Sequence, residues 1–294
     1  MRQAYGGEAV VGTREAFPAE LMVSAQPRAG ADAPFGIPGA SAAHDAAPPA
    51  LPPCVFVVPA YNEEENILRL LDDLAARPEL FRATGGRVVI VDDGSGDSTP
   101  ELVAAYSGPM EVELVSLDRN QGPGAAFRAG FAAALDRCPA DACIVTLEAD
   151  TTSDLDALPA MLQRVDDGAD LVLASWRMID VSRRRRILSA GAGYVVRRAL
   201  KLDATTVSSF YRVYRGSTLR AASALYGDRL IQEPGFACKA ELLGKLAAMG
   251  VRVDEITVDL DWSRRNGKSK MPVARTMFAY WRMMFRQLAQ QEPV

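Results

Sequence analysis

Between residues 54 and 176 short apolar runs alternate with amphipathic segments, and that alternation admits few folds. "CVFVVPAY", "RVVIVDDGS", "EVELVSL", "ACIVTLE" and "ADLVLASW" are short apolar runs that read as strands. Helical patterns lie between them. In "NEEENILRLLDDLAARP" the residues Ile67, Leu70, Leu71 and Leu74 fall at helical spacing. "DSTPELVAAYS" carries Ser98 or Thr99 as a cap and Pro100 in its first turn. "GPGAAFRAGFAAALDRC" and "SDLDALPAMLQRVDDG", the latter capped near Ser153, complete the series. Such a chain is α/β, with a mostly parallel sheet, helices on both faces, and ligands at the strands' C-terminal ends.

Three of the strands run into acidic sites. Tyr61, Asn62 and Glu63 follow the first, Asp92 and Asp93 the second, and Glu148 and Asp150 the fourth. Any one of these could be an ordinary helix cap, because carboxylates favour helix N-termini. Three on one sheet edge would build an acidic crevice able to hold a cation and a nucleotide's hydroxyls. The only histidine, His44, lies outside the α/β stretch, which excludes Ser-His-Asp and Cys-His chemistry and histidine metal sites. A metal must then be held by oxygen, which favours Mg²⁺ or Mn²⁺. Cys54, Cys138, Cys143 and Cys238 form no C-x-x-C pair and no zinc spacing, so buried, reduced thiols in a cytoplasmic protein are expected.

Residues 1–52 are rich in Ala, Pro and Gly without periodicity and predict a disordered tail. Residues 53–270 form the predicted folded domain, and 271–294 a C-terminal amphipathic helix and tail. No apolar stretch reaches about 20 residues, so no spanning helix is expected, nor is a signal peptide. The net charge of −4 is unevenly spread. Arg177–Arg215 holds ten basic and two acidic residues, and Trp262–Gln291 seven basic and no acidic ones. These are solvated basic faces or surfaces for phosphates and anionic lipid; no nucleic-acid partner is expected.

The motifs in order carry a resemblance. "VVPAYNEEENI", "IVDDGSGDST", "NQGPGAAFRAGF", "EAD" in the place of a D-x-D, "SSFYRVYR" and "RRNGKSKM" together resemble the inverting family 2 glycosyltransferases of GT-A fold. Within these the chain looks most like dolichol-phosphate mannose synthases and related polyprenyl-phosphate glycosyltransferases. The resemblance runs from about Val55 to Met271. It implies a metal-dependent transfer from a nucleotide-sugar donor, GDP-mannose or a UDP-hexose, to a polyprenyl phosphate with inversion.

It also implies roles for residues. Pro59, Tyr61, Glu63, Asp92 and Asp93 would surround base and ribose. Gly122 and Gly124 would let the backbone approach the nucleotide, unless they mark a plain loop–helix junction. Glu148 and Asp150 would hold the metal, and Asp150 is also counted among the catalytic residues. Arg264, Lys268 and Lys270 would meet the diphosphate, although this basic loop could instead pair with Asp259 and Asp261. Three departures stand out: Glu148 for Asp, Thr152 where the family often has Gln, and Phe210 for Gly.

On the acceptor side, a lipid phosphate monoester with a second pKa of about 6 is mostly dianionic at neutral pH and needs positioning, not a base. Arg212, Ser209 and one of Arg183–Arg186 are the candidates. A hydroxyl acceptor would need a base, for which Glu233 is available. That leaves open a family 2 transferase acting on a soluble or natural-product hydroxyl, and a nucleotide-sugar-binding relative without turnover. "SRRRRILSAGAGYVVRRALKL" has the pattern of an interfacial helix. So does the segment from about Pro272 to Gln290, with Arg275, Arg282 and Arg286 opposite Met277, Trp281, Met284, Phe285 and Leu288. Either could dock on the protein's own core. Otherwise they would hold it peripherally on the anionic inner membrane leaflet. The two transmembrane helices that some relatives add are not expected.

Overall fold

A computed structural model describes residues 51–81, 86–139, 142–176, 206, 209–258, 276, 278–280 and 282. Arg183–Arg186, Arg264, Lys268, Lys270 and the predicted N-terminal tail up to residue 50 lie outside them.

The predicted alternation is present. Strands β1 (Cys54–Ala60), β2 (Arg87–Asp92), β3 (Glu111–Ser116), β4 (Cys143–Thr146) and β5 (Leu171–Trp176) are separated by helices α1 (Ile67–Ala75), α2 (Thr99–Ala104), α3 (Pro123–Arg137) and α4 (Leu158–Asp166). Beyond them come β6 (Arg212–Arg215), α5 (Gly216–Tyr226), α6 (Cys238–Ala248) and β7 (Val253–Val258). The seven strands form one sheet in the order β3-β2-β1-β4-β6-β5-β7. All run parallel except β6, which lies antiparallel between β4 and β5.

The central strands are buried on both faces because they alternate between two cores. Val55, Val57, Val89 and Val91 meet Ala126, Phe127, Phe131 and Leu242 on one face. Phe56, Val58, Val88 and Ile90 meet Ile67, Leu70, Leu71 and Leu162 on the other. Burying each large side chain stabilises by about 1.5–3 kcal/mol. The four predicted apolar residues of α1 are all buried.

Ser98 is the N-cap of α2 with Pro100 in its first turn, as expected, and the cap of the turn before α4 falls at Asp154, next to Ser153. The hydroxyl and amide of Thr99 both donate to Asp97, at 2.6 and 3.0 Å, so Asp97 supplies the side-chain acceptor just ahead of α2. Asp154, beside Ser153, accepts the amide of Asp156 in the turn preceding α4. Each carboxylate accepts from the amide two residues further along the chain, the usual Asx geometry.

The strand order reverses between β1 and β4. The connection from β1 leads to β2 on one side, and β4 returns to the other. In open α/β sheets a crevice opens at that point, outside the strands' C-terminal ends.

Candidate active site

All three acidic sites lie at this edge. Val57 pairs with Thr146 and Ala60 with Asp92 across β1. The chain leaving β4 toward Glu148 and Asp150 therefore runs beside Pro59 and Tyr61, and Asp92 sits level with Ala60. With strands about 4.8 Å apart, β4 and β2 lie about 10 Å from each other across β1.

The first two loops are laced together by polar groups. Asn62 sits in the left-handed region at φ 53°. Its amide donates to Ser95 Oγ, and its Oδ1 accepts from the Gly96 amide, each at 2.8 Å. Glu63 donates its amide to Thr99 Oγ1, and its carboxylate accepts from Asn66 at 2.8 Å. That carboxylate is buried and supports the loop. Asp92 accepts from the Ser95 amide. Pro59 and Tyr61 are half-buried beside this network.

Asp93 ties in the glycine loop by accepting from the amides of Gln121 and Gly122 at 2.7 and 2.8 Å. Burial pushes its carboxyl pKa up; the two amides pull it back, and neighbouring Asp92 adds to the rise. The glycines themselves require a correction. A Cβ on Gly122, which has φ +89°, would meet Pro234 O at 2.4 Å. One on Gly124 would meet Glu233 O at 1.9 Å, and the Gly124 amide donates to Pro234 O. The close approach they permit is thus to the protein's own Glu233–Pro234 backbone, where the sequence suggested a nucleotide.

In the acid pair, Glu148 is half-buried and Asp150 is 7% exposed. The hydroxyl of Thr152 donates to Asp150 Oδ1 at 2.7 Å, and its amide does so at 3.2 Å. Thr152 therefore orients Asp150. Between them Thr151 adopts φ 63°, with its hydroxyl bonded to Arg69 of α1. Left-handed backbone at a non-glycine residue costs of order 1–3 kcal/mol, and here it turns the chain at the crevice.

The floor differs from expectation. Arg212, assigned to the acceptor phosphate, is 1% exposed. Its Nε donates to Ser209 O at 2.8 Å and its terminal nitrogen to Lys239 O at 2.9 Å. The hydroxyl of Ser209 accepts from the Tyr211 amide at 3.1 Å, closing a turn. Both residues are thus tied into the floor, because β6 runs antiparallel beside β4 with Arg212 opposite Thr146. A cavity of about 10 Å³, the room one water needs, lies among Thr146, Phe210, Arg212, Tyr214 and Lys239.

Phe210 stacks on Phe127 with centroids 5.0 Å apart and touches Phe236 at 5.8 Å. The ammonium of Lys239 lies 3.7 Å from the Phe210 centroid. Burial pushes Lys239 down to about 8, against the pull of Glu148, which raises it. Sequence reasoning missed Lys239, although it stands in α6 among buried Cys238, Ala240 and Leu242. It also missed Asp97, Asn66 and Glu241, whose carboxylate accepts the amides of Gln232 and Glu233. Glu233 is itself fully buried and ion-pairs with Arg282 at 2.7 Å. For Arg282 the sequence left open lipid headgroups or the protein's own core; its guanidinium turns to the protein, where Glu233 offers it a carboxylate. Phe278, nearby in the chain, is 68% exposed. Arg264 and Lys270 lie outside the described residues.

Among the described residues no three acidic, Cys or His side chains converge as a metal cluster. Two carboxylates suit a hard cation whose remaining ligands come from substrate phosphates and water, the usual arrangement for Mg²⁺. No described helix is long and apolar enough to cross a membrane.

The mixed sheet with its acidic edge is a GT-A-like glycosyltransferase fold. The family model for glycosyl transferase family 2 matches residues 55–221, and the chain belongs to that family. It is 30% identical over 222 residues to the undecaprenyl-phosphate mannosyltransferase of Micrococcus luteus, covering 73% of this chain and 86% of that protein. It is 28% identical to the polyprenol monophosphomannose synthase of Mycolicibacterium smegmatis, covering 74% and 80%. Against the succinoglycan biosynthesis protein ExoO of Rhizobium meliloti the identity is 38% over 141 residues, but the chain spans only 38% of that protein. Among solved structures, the fold matches glucosyl-3-phosphoglycerate synthase from Mycobacterium tuberculosis in complex with UDP. The TM-score is 0.59 at 16% identity, covering 81% of this chain and 80% of that one. The same enzyme with Mn²⁺, UDP and glucosyl-3-phosphoglycerate gives 0.57.

Proposed function

We propose that the protein transfers a sugar from a nucleotide-sugar donor to a polyprenyl phosphate, with inversion at the anomeric carbon. The observation that carries this reading is the meeting of three acidic loops at the β1/β4 switch point, in a chain whose relatives include an undecaprenyl-phosphate mannosyltransferase. Pro59, Tyr61, Asp92 and the loop around Asn62 border the space for base and ribose. Asp93 acts one step back, holding the Gln121–Gly122 turn against them. Asp150, fixed by Thr152, and Glu148 would hold Mg²⁺ or Mn²⁺. There a cation would supply positive charge for the departing nucleoside diphosphate. Arg264 and Lys270, which lie outside the described residues, would add charge there by the family resemblance.

The acceptor phosphate is already ionised at neutral pH, so positioning suffices. Arg212 and Ser209 contribute by shaping the floor. A hydroxyl acceptor would need Glu233 as base, and its carboxylate is buried against Arg282, which favours the phosphate. The basic runs would hold the protein peripherally at an anionic inner leaflet.

Radiolabelled GDP-mannose or UDP-hexose, undecaprenyl phosphate and Mn²⁺ test the reading. Label is expected in the organic-extractable product. Transfer only to a water-soluble acceptor, or donor binding without transfer, would overturn it.

A further inference from the structure

Residues 231–234 form no helix or strand, yet they are held from three sides. From α3, Arg128 donates to Ile231 O at 2.8 Å and the Gly124 amide to Pro234 O at 2.9 Å. From α6, Glu241 accepts the amides of Gln232 and Glu233 at 2.9 and 2.8 Å, and Lys245 pairs with that carboxylate. From the C-terminal segment comes Arg282, 2.7 Å from the Glu233 carboxylate. Residues 276, 278–280 and 282 there are helical. Thr276 is buried, and Tyr280 packs against the core that α3 and α6 share.

The third tie is the one that carries a charge to the Glu233 side chain. Glu233 is fully buried, whereas the Arg282 side chain is 49% exposed. A carboxylate away from water that loses its partner must move or take up a proton. Behind Glu233 the backbone has no slack. A Cβ on Gly122 or Gly124 would lie only 2.4 Å from Pro234 O or 1.9 Å from Glu233 O. The Gly124 amide is bonded to the same Pro234 carbonyl. A shift of the Glu233–Pro234 backbone therefore moves the glycine loop, whose Gln121 and Gly122 amides Asp93 holds at the crevice.

We propose that Arg282 is a positioning residue for the nucleotide crevice: by neutralising Glu233 it keeps the Glu233–Pro234 backbone seated against Gly122 and Gly124. This rests on the reading of the Gln121–Gly122 turn as a border of the base and ribose space. The C-terminal segment and nucleotide affinity are then coupled, and the coupling is reciprocal: a bound nucleotide holds that segment in place.

Isothermal titration calorimetry with UDP and with GDP tests this. Arg282→Met should weaken binding of the nucleotide that the wild type takes by at least about fivefold, the low end of coupling between sites. Adding Glu233→Gln to that variant removes the stranded charge and should restore the affinity. Were Arg282 needed only to dock its helix, Glu233→Gln would not rescue it. Trypsin gives a second readout that needs no variant to fold. In the wild type, saturating nucleotide should slow cleavage after Arg275, Arg282 and Arg286, located by mass spectrometry. Equal affinity in the wild type and folded Arg282→Met, no rescue by Glu233→Gln, or cleavage indifferent to nucleotide overturns the proposal. Label transfer to undecaprenyl phosphate would then leave the glycosyltransferase reading standing. A wild type that binds neither nucleotide overturns both.

Discussion

The two sides of the crevice are held by different forces. From Asn62 to Gly122 the loops are joined by directional hydrogen bonds among Asn62, Glu63, Asp92, Asp93, Ser95, Asp97 and Thr99. Around Phe210 the contacts are aromatic faces, buried cations and backbone carbonyls. The first side is pre-organised and can be loosened one bond at a time. The second is packed, so removing one ring disturbs several neighbours together.

The largest effect is expected where the two sides meet. Asp150→Asn keeps the side chain's shape but removes the charge offered to a cation. It should lower kcat for transfer about 100- to 1000-fold, the size of losing one pre-organised electrostatic group, with little change in denaturant midpoint. Unchanged kcat would remove Asp150 from the site. On the packed side, Phe210→Ala should destabilise by about 3–5 kcal/mol, measured by urea unfolding. A loss below about 1 kcal/mol would mean that Phe127, Phe236 and Lys239 do not depend on it. On the laced side, Asp93→Ala leaves the Gln121 and Gly122 amides without their acceptor. It should cost about 1–3 kcal/mol for each one that water does not reach and weaken nucleotide binding more than it lowers kcat.

The laced side was the more legible in the sequence, for a physical reason. Its acids follow apolar strands directly, so strand order alone brings them to one edge. The packed side depends on partners distant in the chain. Nothing near Gly122 and Gly124 says that the backbone they must clear is that of Glu233 and Pro234. Nothing near Arg212 says that the carbonyls of Ser209 and Lys239 will claim its guanidinium. Phe210 was visible as a departure, but its meaning came only with Lys239. Strand β6 escaped notice because its four residues end a stretch read for its charges, and β7 because it is a short, only partly buried strand after α6. Arg282 was read from helical spacing alone, which cannot tell a headgroup from a buried Glu233.

The smallest effect concerns the cores beneath both sides. Burial pushes the Cys238 thiol up to about 12 and raises Cys54 as well, with Cys143 adding to the latter. Their folded-state values lie above the ordinary value of 9.0. The stability they contribute is therefore full below pH 9.0 and lost as pH rises toward about 12. Iodoacetamide at pH 8 should leave both unmodified in the folded protein; rapid alkylation would place them at the surface.

The most direct test of the crevice is a crystal soaked with Mn²⁺ and a nucleoside diphosphate. An anomalous peak about 2.0–2.2 Å from an Asp150 carboxylate oxygen, with the diphosphate beside it and the base near Tyr61 and Asp92, is the expected result. A nucleotide bound away from the β1/β4 edge, or a metal with no contact to Asp150, would contradict it.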